Sequence, residues 1–190
     1  MTKIAFADLT HTGQIVAANT FPLGLGYVAS TSIKHFGKEL DYGIFKYPED
    51  LSNYLDKGLP DVICFSSFIW NIRLAHEYAT RIKQINKNVI TVFGGPNFPS
   101  EESEQQRFLE EFNNIDFYIE YEGEYNFRDL LECLLNHNLN LKKTKENCLE
   151  VPNLRFIYDG KLVRSDIRNK IKDLNEIPSP YLEGIMDKFF

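Results

Sequence analysis

Pro60-Asp61-Val62-Ile63-Cys64-Phe65-Ser66-Ser67-Phe68 is the stretch on which the fold turns. Val62 to Phe65 run together without polar alternation, the mark of a central strand in a parallel sheet covered on both faces. A strand is therefore expected over Asp61–Ser66, ending at two hydroxyls. A long helix follows through Asn86, with Ala75, Tyr78, Ala79, Ile82 and Ile85 spaced as one apolar stripe.

Upstream, Lys3–Asp8 reads as a short apolar strand and Leu23–Phe36 as a helix in which Leu25, Val28, Ala29, Ile33 and Phe36 recur at helical spacing. Glu39–Phe45 is a strand of mixed polarity, hence an edge. Pro48 suits a first helical turn, and Glu49–Lys57 is a short helix stopped by Gly58. Downstream come a strand over Asn88–Phe93, a helix over Glu101–Phe112 with acids in its first turn, a strand over Ile115–Tyr121 and a helix over Tyr125–Leu135. Strands joined by helical crossovers make right-handed βαβ units. The expected fold is α/β, a flavodoxin-like (Rossmann-like) five-stranded parallel sheet of order 2-1-3-4-5.

The composition shifts after His137. Residues 1–137 form the α/β domain, 138–152 a polar Lys/Asn-rich linker, and 153–190 a hairpin and an arm. In the hairpin, Asp159-Gly160 separates two strand-like runs within Leu154–Arg164. Ile177-Pro178-Ser179-Pro180-Tyr181 admits neither helix nor central strand, so an extended tail is expected.

The 190 residues suffice for one ordinary domain and an appendage, and 43% hydrophobic with 25% charged residues is the balance of a globular core. A net charge of −6 disfavours nucleic acid and anionic membranes as partners. No apolar run approaches the ~20 residues of a membrane span, and the early Asp8 argues against a signal peptide; a cytoplasmic chain is expected. Cys64, Cys133 and Cys148 are too widely spaced for a zinc or iron–sulfur site and read as reduced thiols, Cys64 and Cys133 buried.

In an open α/β sheet the ligand lies outside the carboxyl ends of the strands, at the switch point between strands one and three. Four loops qualify. Leu9–Pro22 contains Thr10-His11-Thr12-Gly13-Gln14; Ser66–Asn71 sets hydroxyls beside Phe68 and Trp70; Gly94-Gly95-Pro96-Asn97 lets a backbone approach something bulky; and Glu122-Gly123-Glu124 enters a helix. Small and hydroxyl residues next to large rings suit a large, flat, partly apolar ligand rich in amide edges. Taken singly, each admits a structural reading: a tight turn at Gly94-Gly95-Pro96, helix caps at Ser66 and Ser67 or at Glu122 and Glu124, core packing at Phe68 and Trp70. His35, His76 and His137 read as surface or helix-end residues.

Several segments together resemble the N-terminal cobalamin-binding domain of cobalamin-dependent radical S-adenosylmethionine enzymes: Phe21–Ser30 (FPLGLGYVAS), Pro60–Phe68, Val92–Ser100 (VFGGPNFPS), Asp116–Leu134 (DFYIEYEGEYNFRDLLECL), Asn153–Arg164 and Asp173–Leu182. The resemblance covers nearly the whole chain and implies a module that holds a corrinoid, in this case cobalamin, and presents it to a radical catalytic domain, in cis or in trans, for methyl transfer or related chemistry. The iron–sulfur cluster and S-adenosylmethionine would belong to that absent domain, so the chain is not expected to be catalytic alone. The wider fold's signature, DxHxxG then SxL then GG, maps onto Asp8–Gly13, Ser66–Phe68 and Gly94-Gly95, but Thr10 stands where the histidine belongs and His11 is one residue out of register. The resemblance implies a base-off corrinoid with no protein histidine below the cobalt, so no metal ligand is assigned; His11 remains the alternative. The expected cofactor contacts are Thr10, His11, Thr12, Gly13, Ser66, Ser67, Phe68, Trp70, Gly94, Gly95, Pro96, Asn97, Glu122 and Gly123.

Two other readings stay open: a flavodoxin-like FMN protein, or a degenerate docking module. For FMN, Thr10–Gly13 resembles a phosphate-cradling loop, but Ile15 stands where a further hydroxyl is wanted. A phospho-receiver is excluded by Ser66 and Tyr121 in place of its aspartate and lysine, and neither a Walker loop nor a GxGxxG turn follows strand one.

Overall fold

The computed structural model of the chain describes residues 1–13 and 20–190. Its elements alternate as β1 (Thr2–Ala7), α1 (Leu23–Phe36), β2 (Leu40–Phe45), α2 (Pro48–Leu55), β3 (Val62–Ser66), α3 (Ile72–Ile85), β4 (Ile90–Gly94), α4 (Glu102–Glu111), β5 (Phe117–Ile119) and α5 (Glu124–Asn136). Then follow α6 (Leu141–Asn147), β6 (Leu154–Tyr158) and β7 (Lys161–Arg164). The first five strands are parallel and lie in the order β2-β1-β3-β4-β5, with the mixed-polarity β2 at the edge as its sequence requires. Gln14 and Ile15 lie outside the described residues.

The hairpin does not stand apart. β6 pairs antiparallel with β5, through Tyr118 opposite Arg155 and Ile119 opposite Leu154, so the described sheet continues to seven strands. Asp159 (φ 48°) and Gly160 (φ 72°) make the tight two-residue turn, both left-handed as that turn demands. The stretch read as a linker carries α6, opened by the Asn140 side chain accepting from the Lys143 N–H at 3.0 Å. Thr144, Cys148 and Val151 are buried. Thr144 lies in α6, Cys148 caps it and Val151 follows, and the surrounding lysines and asparagines conceal these buried positions.

Each strand serves two cores, because side chains alternate across the sheet. On one face, Val62, Cys64, Ile90, Val92, Phe117 and Ile119 meet α1 and α5 through Ala29, Phe127, Leu130 and Leu134. On the other, Ile63, Phe65, Val89, Phe93 and Tyr118 meet α2, α3 and α4 through Leu51, Ala75, Ala79, Ile82 and Leu109. Ile85, expected in the α3 stripe, is the helix's last residue and stays 75% exposed; Ile82 is the last of the stripe to reach the core. Cys133 is half-buried, and all three cysteines are free thiols. The prolines at 178 and 180 prevent helix and strand, yet the tail is folded back rather than extended. Ser30 Oγ donates to the Pro178 carbonyl at 2.7 Å, Ile185 and Met186 join the α1–α5 core, and Lys188 Nζ donates to the Ile44 carbonyl. No helix among the described residues is long and apolar enough to cross a membrane.

Candidate functional site

The carboxyl ends of β1, β3, β4 and β5 converge where the switch point predicts. Asp8, just past β1, accepts hydrogen bonds from Ser66 Oγ at the end of β3 and from Asn71 Nδ2 at 3.3 Å. Asn71 is completely buried and also donates to the Leu9 carbonyl (3.2 Å), while its Oδ1 accepts from the Phe68 N–H (2.8 Å). One side chain thus ties the β1 and β3 ends together and fixes the loop bearing Phe68 and Trp70, whose rings stack at 4.6 Å with planes 6° apart. The N–H of Ser67 donates to the Gly94 carbonyl at 2.7 Å, which binds that loop to β4.

Gly95 has φ 129°, and a Cβ there would lie 2.7 Å from the Ser67 carbonyl oxygen, so this rim admits only glycine. Tyr118 Oη, from the far side of the sheet, donates to the Gly95 carbonyl at 2.9 Å and holds the turn down. At the start of α5, Gly123 leaves room for Val28 of α1; a Cβ would come within 2.9 Å of Val28 Cγ2.

Beneath this rim opens a cavity of about 520 Å³ between the sheet and the α1–α5 pair. Its floor is Cys64, Val92 and Ile119; its walls are Gly24, Leu25 and Val28 on one side and Phe127 on the other. Asp8, Ser66, Phe68, Gly94, Gly95, Pro96 and Tyr121 ring the sheet end, and Glu122, Glu124 and Lys170 supply charge. A second cavity of about 140 Å³ adjoins it, sharing Asp8, Gly24 and Phe68 and adding Thr10, Phe21, Lys46 and Trp70.

Of the expected contacts, Ser66, Phe68, Gly94, Gly95, Pro96, Glu122 and Gly123 line the larger cavity, and Thr10 and Trp70 the smaller. Ser67 is fully buried beneath Gly95, and Asn97 donates its N–H to the Ser67 carbonyl at 3.1 Å; both shape the rim from behind. His11 Nε2 is 2.8 Å from the Trp70 carbonyl oxygen, and Thr12 Oγ1 donates to Glu49 Oε1 at 3.0 Å. His11, Thr12 and Gly13 line neither cavity. The structural alternatives at Ser66 and Glu122 do not describe these residues: α3 starts after Asn71, Ser66 bonds Asp8, and Glu122 Oε2 accepts from the Ile171 N–H at 3.0 Å.

The expected contacts left out Tyr121, Lys170 and the apolar walls, and Asp8 and Glu124 entered only as part of a motif and of a loop. Asp8 is the first residue of the DxHxxG pattern; Leu25, Val28 and Phe127 are ordinary helix-stripe residues with no signal of their own. Burial raises the Asp8 carboxyl above its usual range, opposed by the Ser66 hydroxyl and by Lys46. Burial likewise raises Glu124 and lowers Lys46, while the floor thiol of Cys64 is driven well up and stays protonated. The site is an apolar slot under a glycine rim, with hydroxyl, amide and carboxyl groups at its mouth. Those groups suit a large ligand with an apolar limb and a flat, amide-edged body.

The profile of a family described as the B12 binding domain matches residues 14–131. The chain is 30% identical over 128 residues to the cobalamin-dependent radical SAM methyltransferase TokK of Streptomyces tokunonensis, a match covering 67% of this chain and 17% of that protein. It is 27% identical over 179 residues to an uncharacterized methyltransferase of Pyrococcus horikoshii, covering 93% of this chain and 37% of that one. In fold it is similar to the cobalamin-dependent S-adenosylmethionine radical enzyme OxsB with aqua-cobalamin and S-adenosylmethionine bound (TM-score 0.62, 19% identity, 100% of this chain and 25% of that one). It is also similar to the radical S-adenosylmethionine methyltransferase TsrM from Kitasatospora setae with cobalamin and a [4Fe-4S] cluster bound (TM-score 0.60, 14% identity, 94% and 31%). The chain thus spans 17% to 37% of the length of these curated relatives.

Proposed function

The chain belongs to the B12-binding domain family, and we propose that it is a cobalamin carrier that holds the corrinoid base-off and presents it to a radical S-adenosylmethionine catalytic domain. The observation that carries the reading is the slot of about 520 Å³ that opens under Gly94 and Gly95 at the carboxyl ends of the central strands. The residues fit the cofactor. Cys64, Val92, Ile119, Leu25, Val28 and Phe127 would take an apolar limb, Gly94 and Gly95 would let the macrocycle approach the backbone, and Ser66 and Glu122 would meet amide edges.

The base-off state is supported by the histidines. His11 is committed to the Trp70 carbonyl, and no histidine lines either cavity among the described residues. When bound, the corrinoid supplies a cobalt able to carry an alkyl group. The chain's own residues do the remainder: the slot walls exclude water, the Asn71 ties keep the mouth in register, and the stacked Phe68 and Trp70 flank it.

Anaerobic titration of the 190-residue chain with hydroxocobalamin, read by absorbance and gel filtration, tests this. The expected result is co-elution with a base-off spectrum. Gly24→Phe is the paired variant, because Gly24 is helical, lines both cavities and leaves open space around it, so that a Cβ added there would meet nothing within 4 Å. It should retain the fold and lose at least roughly 100-fold in affinity. Equal binding by Gly24→Phe removes the slot from the site, and FMN uptake in place of cobalamin overturns the assignment.

A further inference from the structure

Among the described residues, five non-glycine residues have positive φ, and four of them explain themselves. Asn138, Asn153 and Asp159 are of types that tolerate the left-handed region. Leu139 follows α5, donates its N–H to the Leu134 carbonyl at 2.8 Å and packs its side chain on the α1–α5 core. Tyr121 is different. A bulky residue at φ 65° is strained, and this one gains no burial, since it is 68% exposed.

The strain is imposed from both sides. Glu120 exchanges two hydrogen bonds with Asn153, its N–H donating to the Asn153 carbonyl and its carbonyl accepting from Asn153 Nδ2, both at 2.9 Å. Its carboxylate pairs with buried Arg155 at 2.8 Å. On the other side, the Glu122 carbonyl accepts from Asn126 Nδ2 at 2.5 Å and its side chain from the Ile171 N–H. Residues 120 and 122 are thereby fixed, and Tyr121 between them is turned out at the mouth of the slot. Among the described residues its ring pairs with no other ring and its hydroxyl with no hydrogen-bond partner. Phe68 and Trp70 lie beyond the end of β3, a strand two spacings, roughly 10 Å, from β5, and Phe68 lines the same cavity.

We infer that Tyr121 is a ligand-contacting residue whose ring packs on the bound corrinoid opposite the Phe68–Trp70 stack, an assignment that rests on the proposed cobalamin reading. A strained, exposed aromatic held rigidly at a cavity mouth gains its contact only when the ligand is present. The contact is through the ring and not the hydroxyl, because the ring is the part that offers area to a flat, conjugated partner.

The test compares wild type, Tyr121→Gly and Tyr121→Phe by hydroxocobalamin titration and by urea unfolding without cofactor. Tyr121→Gly relieves the left-handed strain, so its unfolding midpoint should equal or exceed that of wild type, while its affinity falls roughly tenfold, the scale of one lost aromatic contact. Tyr121→Phe should bind within about twofold of wild type. Unchanged affinity in Tyr121→Gly overturns the inference, as does a lowered midpoint, which would make the residue structural. An equal loss in Tyr121→Phe overturns the ring contact in favour of the hydroxyl. Failure of wild type to bind in the same titration strikes the cobalamin reading itself and is thereby distinguished.

Discussion

The two faces of the central sheet, at the same carboxyl end of the same strands, are built to different sizes. Toward α3 and α4, β3, β4 and β5 present Phe65, Phe93 and Tyr118. Tyr118 stacks on Phe98 at 4.0 Å, and Phe108 meets its edge at 5.9 Å, so aromatic rings close that side. Toward α1 and α5, the adjacent positions are Cys64, Val92 and Ile119, and a cavity of about 520 Å³ remains. Alternation places each residue on one face or the other; the choice of small or large at alternate positions decides which face is a core and which a pocket. The closed face also serves the open one, since Tyr118 reaches through to hold the Gly95 turn.

A crossed pair of truncations sharpens that contrast. Phe112→Ala, on the closed face, should cost about 3–5 kcal/mol in a urea unfolding series and leave cobalamin affinity unchanged in the folded protein. Leu25→Ala, on the slot wall, should cost about 1 kcal/mol but weaken cobalamin binding roughly tenfold. Equal effects of the two on both measurements would erase the distinction between faces.

A smaller effect is expected at Asp8. Burial raises its folded-state pKa above the ordinary value of 3.8, so the folded state holds its proton more tightly than the unfolded chain does. That contribution favours folding below pH 3.8 and is lost as pH rises through the folded pKa. Wild type should therefore lose stability relative to Asp8→Asn as the pH climbs from 3.8 through the raised folded-state value, read as the difference between their urea midpoints. A difference that does not vary with pH would refute the burial effect. The smallest effect belongs to His11→Ala, which removes the contact to the Trp70 carbonyl. Affinity and the bound spectrum should match wild type, with stability changed by no more than about 0.5 kcal/mol; an altered spectrum would make His11 the axial ligand.

Much of the fold was legible because periodicity is local. The helix over Leu23–Phe36 was bounded to the residue by its apolar spacing, and the unbroken apolar run of β3 announced a central strand. The site was legible as four loops, because chain order places them at the strand ends. Its interior was not. Leu25, Val28 and Phe127 look like any helix stripe, and Lys170 lies beyond the hairpin, far from the slot in sequence. The buried spacing of Thr144, Cys148 and Val151 was hidden by polar neighbours, and the tail's return onto α1 rests on contacts such as Ser30 to Pro178, 148 residues apart.

The sequence by itself determined the βαβ order and the position of the rim, both properties of a residue and its near neighbours. Only the tertiary structure decided that the face of Cys64, Val92 and Ile119 stays open, that His11 turns to the Trp70 carbonyl, and that Tyr121 is held strained at the mouth. Each of these depends on groups brought together by packing across the sheet, where volume and hydrogen-bond geometry are set by partners that no local pattern names.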